Sequence, residues 1–282
     1  MDTSGVMGIA LKMAGMNSIP GDSGIWVPGK RVKKVLFAID AGPPEILLAK
    51  EQGFDLLIAH HPVGPARLTF SRVVRRHVGF MTEKGVPRAV AVRAAEELAE
   101  RIEVRTHPAN YLHEVEFAKM LGLPFMNIHL PIDQITRDFL LKAIDGSGAR
   151  TVGELIEKLE RIREFRAAET RVELRNGKRG DRLGKWVLVF AAGTNGGYPV
   201  AKAYYDHGID TVIYLHVDYD ELLKIRKDGR GSLIVLGHMA GDSIGINLFL
   251  DELKEKGLTV STIGVVGRGS GSARHLSDLS DW

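Results

Sequence analysis

The run Asp55-Leu56-Leu57-Ile58-Ala59 shows no polar alternation after its first residue, so a strand built from it is buried on both faces. Strands of that kind belong to sheets covered by helices on each side. Val32 to Ile39, apolar from Val35 onward, reads as a buried strand before it, and between the two Pro44 to Gln52 reads as a helix closed by Gly53. Strand, helix and strand in this order form a βαβ unit, which places the chain in the α/β class.

The rest of the sequence extends that pattern. Helices are expected at roughly Arg72 to Lys84, Ala94 to Ile102 and Tyr111 to Leu121, with a short strand at Ala89 to Val92. Phe125 to Leu130 reads as a strand and Gln134 to Ile144 as a helix. Thr151-Val152-Gly153-Glu154 is a capping box, and the apolar stripe Leu155, Ile156, Leu159, Ile162 and Phe165 continues its helix. Between Glu169 and Lys185 the chain turns charged, and Arg175-Asn176-Gly177-Lys178 has the composition of a hairpin turn. Strands then alternate with helices: Trp186 to Ala191, Tyr198 to His207, Thr211 to Leu215, Tyr219 to Lys227, Ser232 to Leu236, Ile244 to Lys256 and Val260 to Val266. Gly267 to Ser272 reads as a loop.

Gly53-Phe54-Asp55 leading to His60-His61 is echoed by Gly208-Ile209-Asp210 leading to Leu215-His216. Duplication and the general grammar of βαβ units both account for this echo. The expected architecture is two similar α/β domains with mixed sheets flanked by helices. The first spans residues 1–150 with a helical insertion at about 65–121, and the second spans 151–282.

Composition narrows the chemistry. Without cysteine the chain has no thiolate, so a metal site must use imidazole nitrogen and carboxylate oxygen, which suits zinc, manganese, iron or magnesium. A net charge of +3 from 38 basic and 35 acidic residues gives no general nucleic-acid field, and Arg72 to His77 reads as a solvated helix face. No segment has the length of a membrane span, and Met1 to Met16 lacks the basic start of a secretory signal. The expected location is cytoplasmic.

His60 and His61 stand where the central apolar run gives out into Pro62. Ligands in open α/β sheets bind at that end of the strands. Consecutive strand residues face opposite ways, so the two rings can act together only if the strand ends there. They then supply one ligand to each of two metal ions, or two contacts to one substrate. Four further groups follow apolar runs: His129 with Asp133, His238 with Asp242, His216 with Asp218, and Asp40. A helix begun by His238 puts Asp242 on its face, the spacing of paired metal ligands. Asp133 has a second reading as the cap of the following helix. Histidines 77, 107, 113, 207 and 275 read as surface residues, with His107 alone in reach of a cleft. The loop Ala192 to Gly197 is placed to hold a phosphate on its amides, but it lacks the lysine of a P-loop and reads equally as a tight turn. No Gly-x-Ser-x-Gly elbow is present.

Asp55-Leu56-Leu57-Ile58-Ala59-His60-His61-Pro62 resembles the hallmark of the GTP cyclohydrolase I type 2-like family, also called the Ngg-one-interacting-factor-three family. Gly21-Asp22-Ser23-Gly24-Ile25, Ile128 to Asp133 and Gly237 to Asp242 resemble its other motifs in the same order. The resemblance implies an α/β protein with two metal ions in a cleft, commonly assembled as a toroidal homo-hexamer. It implies His60, His61, Asp133, His238 and Asp242 as ligands, Asp242 bridging, with the 230–282 end returning to complete the site and His129 beside it. Two departures mark a divergent branch: Asp242 stands for the usual Glu, and Leu130-Pro131 for the usual Thr-Asn.

Two functions fit these residues. One is a dinuclear metal-dependent hydrolase acting on a small molecule, such as a nucleotide, a phosphoester or a cyclic amide or purine-ring bond. His129 or His216 would then serve as general acid. The other is a non-catalytic metal-binding chaperone, insertase or regulatory protein, whose ligand set would be the same but whose substrate pocket would be missing.

Overall fold

A computed structural model describes residues 1–267. The amino-terminal half contains α1 (Thr3–Met13), β1 (Gly24–Val27), β2 (Lys34–Ala38), α2 (Pro43–Glu51) and β3 (Leu56–Ala59). It continues through α3 (Ala66–Val74), α4 (Arg76–Glu83), α5 (Arg88–Thr106), α6 (His113–Met120), β4 (Phe125–Asn127) and α7 (Leu130–Gly146). The remainder contains α8 (Val152–Leu159), α9 (Arg163–Ala167), β5 (Glu173–Asn176), β6 (Trp186–Val189), α10 (Gly197–Asp206) and β7 (Thr211–Tyr214). It ends with α11 (Tyr219–Asp228), β8 (Ser232–Val235), α12 (His238–Glu255) and β9 (Thr259–Ile263).

These strands form two mixed sheets, ordered β1-β4-β3-β2-β9 and β5-β8-β7-β6. In the first, β4, β3, β2 and β9 are parallel and β1 runs antiparallel on β4. In the second, β8, β7 and β6 are parallel and β5 runs antiparallel on β8. One plan is therefore used twice, with β9 as an addition to the first sheet. The Gly-x-Asp echo has a physical role in both copies. Gly53 and Gly208 take positive φ just after α2 and α10, a conformation glycine adopts without a Cβ penalty. Asp55 then accepts the amides of Lys33 and Lys34 at 2.9 and 2.8 Å, and Asp210 accepts that of Lys185 at 2.7 Å. Each aspartate ties the start of the neighbouring strand.

Helices α7 and α12 lie between the sheets and serve both cores. Ile132, Ile135, Ile246 and Phe249 pack with Phe37, Ile58 and Met126 of the first sheet. Leu140, Ile144, Ala240 and Ile244 pack with Leu188, Ile213 and Ile234 of the second. The two helices approach closely at Gly245, where a Cβ would lie 2.4 Å from Ile132 O and from Thr136 Oγ1.

Several expectations are corrected. Residues 89–92 are helical, because Pro87 precedes a helix whose buried stripe is Ala91, Ala94, Ala95 and Ala99, a helical rather than alternating period. The single helix expected over 72–84 is two, broken at Arg75. The stripe after Thr151 breaks after Leu159 and resumes in α9. Asn176-Gly177 turns the chain but makes no hairpin: β5 pairs with β8, and Arg182 bridges to Thr151. The amino-terminal α1 was not anticipated. Helices expected from Gln134 and Ile244 begin at Leu130 and His238, and Pro131 in the first turn suits the earlier start of α7. His77 is fully buried rather than on the surface. The expected loop beyond Gly267 and the surface placement of His275 lie outside the described residues. Among the described residues no helix is long and apolar enough to cross a membrane.

Candidate metal centre

The strand β3 ends at Ala59, and the chain tightens immediately afterwards. The amides of His60 and His61 both donate to Ile39 O, at 3.2 and 3.0 Å. Alternation is thereby broken, and the two rings lie side by side with centroids 5.2 Å apart. Each ring is oriented from behind. His60 Nδ1–H donates to the Ile128 carbonyl at 3.1 Å, and His61 Nδ1–H donates to Asp40 at 2.7 Å. Both Nε2 lone pairs are therefore turned toward the centre, the usual arrangement behind a ligating imidazole.

The loop from β4 into α7 supplies the next pair. His129 precedes the helix and Asp133 follows within its first turn, so Asp133 is not the cap. His129 Nδ1–H donates at 2.8 Å to Asp22, which is fully buried, and its amide donates to Ser23 Oγ at 2.9 Å. The repeat places a matching pair at the start of α12. His238 Nε2 lies 3.1 Å from Asp242 Oδ2, one turn on. That same oxygen is 3.6 Å from His60 Nε2 and 3.4 Å from His61 Nε2, and Asp133 Oδ1 is 3.4 Å from His60 Nε2.

Four of these atoms are buried without a hydrogen-bond partner: His60 Nε2, His61 Nε2, Asp133 Oδ1 and Asp242 Oδ2. Buried polar atoms are seldom left unsatisfied, and four converging on one space fit a cation. Two ligand groupings share His60, one with His61 and Asp242, the other with His129 and Asp133. The charges show the same demand. Burial pushes His60 down, but Asp242 and Asp133 outweigh it and raise it to about 10. Burial likewise opposes charge on His129 and His238, and the facing carboxylates again raise both. Burial would raise Asp242, but His60, His238 and His61 hold it well below the usual carboxylate range. The negative charge that raises these imidazoles is the charge a divalent ion would neutralise.

Above His60 lies a pocket of about 230 Å³ lined by His61, His129, Asp133, His238 and Asp242, and walled by Phe70, residues 189–191 and 193–195, and His216. His216 stacks on His238 with centroids 4.7 Å apart. The Asn195 amide donates to His216 Nδ1 at 3.0 Å and accepts the Gly197 amide at 2.9 Å. Accepting at Nδ1, a neutral His216 carries its hydrogen on Nε2. Burial and the neighbouring His238 hold His216 below its ordinary value. The wall is strained at Ala191, which takes φ 60, a conformation rarely adopted by a residue with a Cβ.

The five residues expected as ligands and the two expected to assist catalysis thus line or underlie one cavity. Asp218 only precedes α11, Asp40 supports His61, and His107 is exposed outside this pocket. Sequence reasoning gave no individual role to Asp22 or Asn195. A buried aspartate after a loop glycine and an asparagine between glycines carry no periodic signal, and their partners lie 107 and 21 residues away.

None of the curated protein sequences matches the chain. Among solved structures, the chain is similar to a NIF3 superfamily protein from Sphaerobacter thermophilus at 42% identity and a TM-score of 0.91. That alignment covers 94% of this chain and 99% of the other. The reduced form of HcgD from Methanocaldococcus jannaschii shares the fold at 14% identity and a TM-score of 0.61, over 93% and 97% of the two chains. A Bacillus cereus protein related to NIF3 does so at 12% identity and 0.54, over 98% and 99%. The family model for DUF34/NIF3, NGG1p interacting factor 3, matches residues 20–266, a span holding both sheets and every residue of the candidate centre, and the chain belongs to that family.

Proposed function

We propose that this protein is a dinuclear divalent-metal hydrolase of a small substrate, with a nucleotide, phosphoester or cyclic amide bond as the class attacked. The observation that carries the reading is the convergence of four buried, unpartnered ligand atoms beneath an open pocket. His60, His61, Asp133, His238 and Asp242 would hold the ions, Asp242 being the carboxylate within reach of three imidazoles. Bound ions of this kind would supply Lewis-acid activation of water and of the bond attacked.

The chain's own residues supply the rest. His129, held by Asp22 at Nδ1, lines the pocket beside His60 and Asp133 and would serve as a proton acceptor or a further ligand. His216, accepting at Nδ1 from Asn195 and stacked on His238 in the pocket wall, would offer its Nε2–H to a leaving group or a developing negative charge. Phe70, Leu215 and residues 189–191 make the remaining walls apolar, which excludes water from the substrate's flank. A homo-oligomer, hexameric as the family resemblance implies, and a cytoplasmic location complete the proposal.

Elemental analysis of the purified protein, followed by a hydrolysis screen with Zn, Mn, Fe(II) and Mg against nucleotides and phosphoesters, tests it. Bound metal with turnover that falls in His129→Ala and His216→Ala supports it. Bound metal without turnover on any substrate leaves the non-catalytic metal-binding function, and no bound metal rejects both.

A further inference from the structure

We propose that a cleft along the free edge of β6 is a second ligand site, separate from the metal centre, for a small anion carried on a flat ring. The repeat draws attention to the place. In the first sheet the outer edge of β2 is covered by β9. The corresponding edge of β6 has no strand on it among the described residues. A cleft of about 650 Å³ lies there instead, between α4, α7 and β6, within the range of small-molecule sites.

Arg137 is its chemical centre. The guanidinium is half-buried and makes no hydrogen bond or ion pair with a carboxylate among the described residues. One face lies over Phe80 at 4.2 Å, and one N–H donates to the Leu188 carbonyl on the strand edge. That leaves most of its five donors uncommitted. Burial opposes its charge, a cost that a bound anion would offset. The Arg76 guanidinium stands on Phe80 as well, 5.5 Å from its centroid. Flat apolar surface is supplied by Trp186, whose ring lies 5.8 Å from Lys84 Nζ, and Tyr204 also lines the cleft.

The lining balances three cations, Arg137, Lys84 and Lys185, against two carboxylates, Glu83 and Asp145. An added peptide strand is disfavoured, because Arg137 already occupies the outward carbonyl of Leu188 that such a strand would need. A nucleoside monophosphate and an aromatic carboxylate share the required chemistry, an anionic group for Arg137 and a ring for Trp186.

The site is distinct from the metal pocket although both touch the same elements. Trp186 to Leu188 line the cleft and residues 189–191 line the metal pocket. On α7, Asp133 faces the metal pocket, and Arg137, Leu141 and Asp145 continue at four-residue spacing into the cleft.

Calorimetric titration of the full chain with guanosine monophosphate, adenosine monophosphate and benzoate tests the proposal, with inorganic phosphate and adenosine as ring-less and charge-less controls. The expected result is saturable binding of one ringed anion, weakened about tenfold or more by Arg137→Gln and by Trp186→Leu. His60→Ala should bind as the unaltered protein does. Stronger response to the nucleotides or to benzoate identifies which source of the shared chemistry is used. Absence of saturable binding to all three ringed anions overturns the proposal. So does binding that survives both cleft substitutions or disappears in His60→Ala, which places the ligand at the metal centre. Circular dichroism checks folding, and if Arg137→Gln does not fold, Trp186→Leu carries the same two readings.

Discussion

The Gly245 amide donates to Thr136 Oγ1 at 2.9 Å, joining the two helices that bring Asp133 and Asp242 to the candidate centre. A methyl group at position 245 has no room, with Ile132 O and Thr136 Oγ1 each 2.4 Å from it. Gly245→Ala is therefore expected to destabilise the protein by about 1–3 kcal/mol through overpacking and to reduce metal affinity as α12 moves off α7. Denaturant melts and metal titration measure the two effects. An unchanged midpoint and affinity would show that the helices are free to separate.

Removing ligands should remove metal. His60→Ala and Asp242→Ala are expected to abolish divalent-metal content by elemental analysis while keeping the circular dichroism spectrum. Chelation should lower the melting temperature of the unaltered protein only, since a ligand held at a hundredfold excess over Kd contributes about 3 kcal/mol to the folded state. Retention of full stoichiometry in both variants would falsify the ligand set.

Asp22 acts through His129. Its buried carboxylate receives His129 Nδ1–H at 2.8 Å, which fixes the ring and the tautomer. Asp22→Asn keeps the size and loses the charge, and is expected to reduce metal affinity or turnover by about 10–100-fold, the usual effect of altering a group behind a ligand. Equal loss in Asp22→Asn and His129→Ala indicates that orientation is the whole contribution of Asp22; wild-type behaviour in Asp22→Asn removes it from the site.

His77 gives the fold a dependence on acid. It is fully buried, with Nε2–H donating to the Thr194 carbonyl at 3.2 Å. Burial lowers it from 6.5 to about 4, the Thr194 carbonyl opposes the shift, and the Arg137 charge adds to it. The unfolded chain therefore binds more protons than the folded one between these values. Stability is complete above pH 6.5 and falls as the pH drops toward 4, by about 3 kcal/mol at most. His77→Gln retains a donor for Thr194 and should flatten that part of the curve in urea melts from pH 4 to 7. An equally steep slope in the variant would place the acid sensitivity elsewhere.

The βαβ units were legible because their strands are short, largely apolar runs separated by helical segments, and the His-His pair was legible because it follows one of them directly. The Thr151 capping box was legible for a local reason: Glu154 N to Thr151 Oγ1 spans three residues. What was missed depends on distant partners. Pairing of β5 with β8 joins residues 173–176 to 233–235, and no turn composition reports it. Residues 89–92, Ala-Val-Ala-Val, are a short apolar run with two β-branched residues, which suits a strand, and only the alanines further along declare the helix. His77 reads as a surface histidine among arginines until the Thr194 loop, 117 residues later, is folded over it.

The strand β9 pairs with β2, joining residues 34–38 to residues 259–263. During synthesis the amino-terminal sheet must wait with an open edge until more than two hundred further residues have emerged, among them His238 and Asp242. An incomplete nascent chain can present His60 and His61 but not the full candidate centre. A long-lived unpaired edge is also a hazard for pairing with other chains. Completion of the sheet and assembly of the ligands thus fall late in the chain's birth, and nearly together.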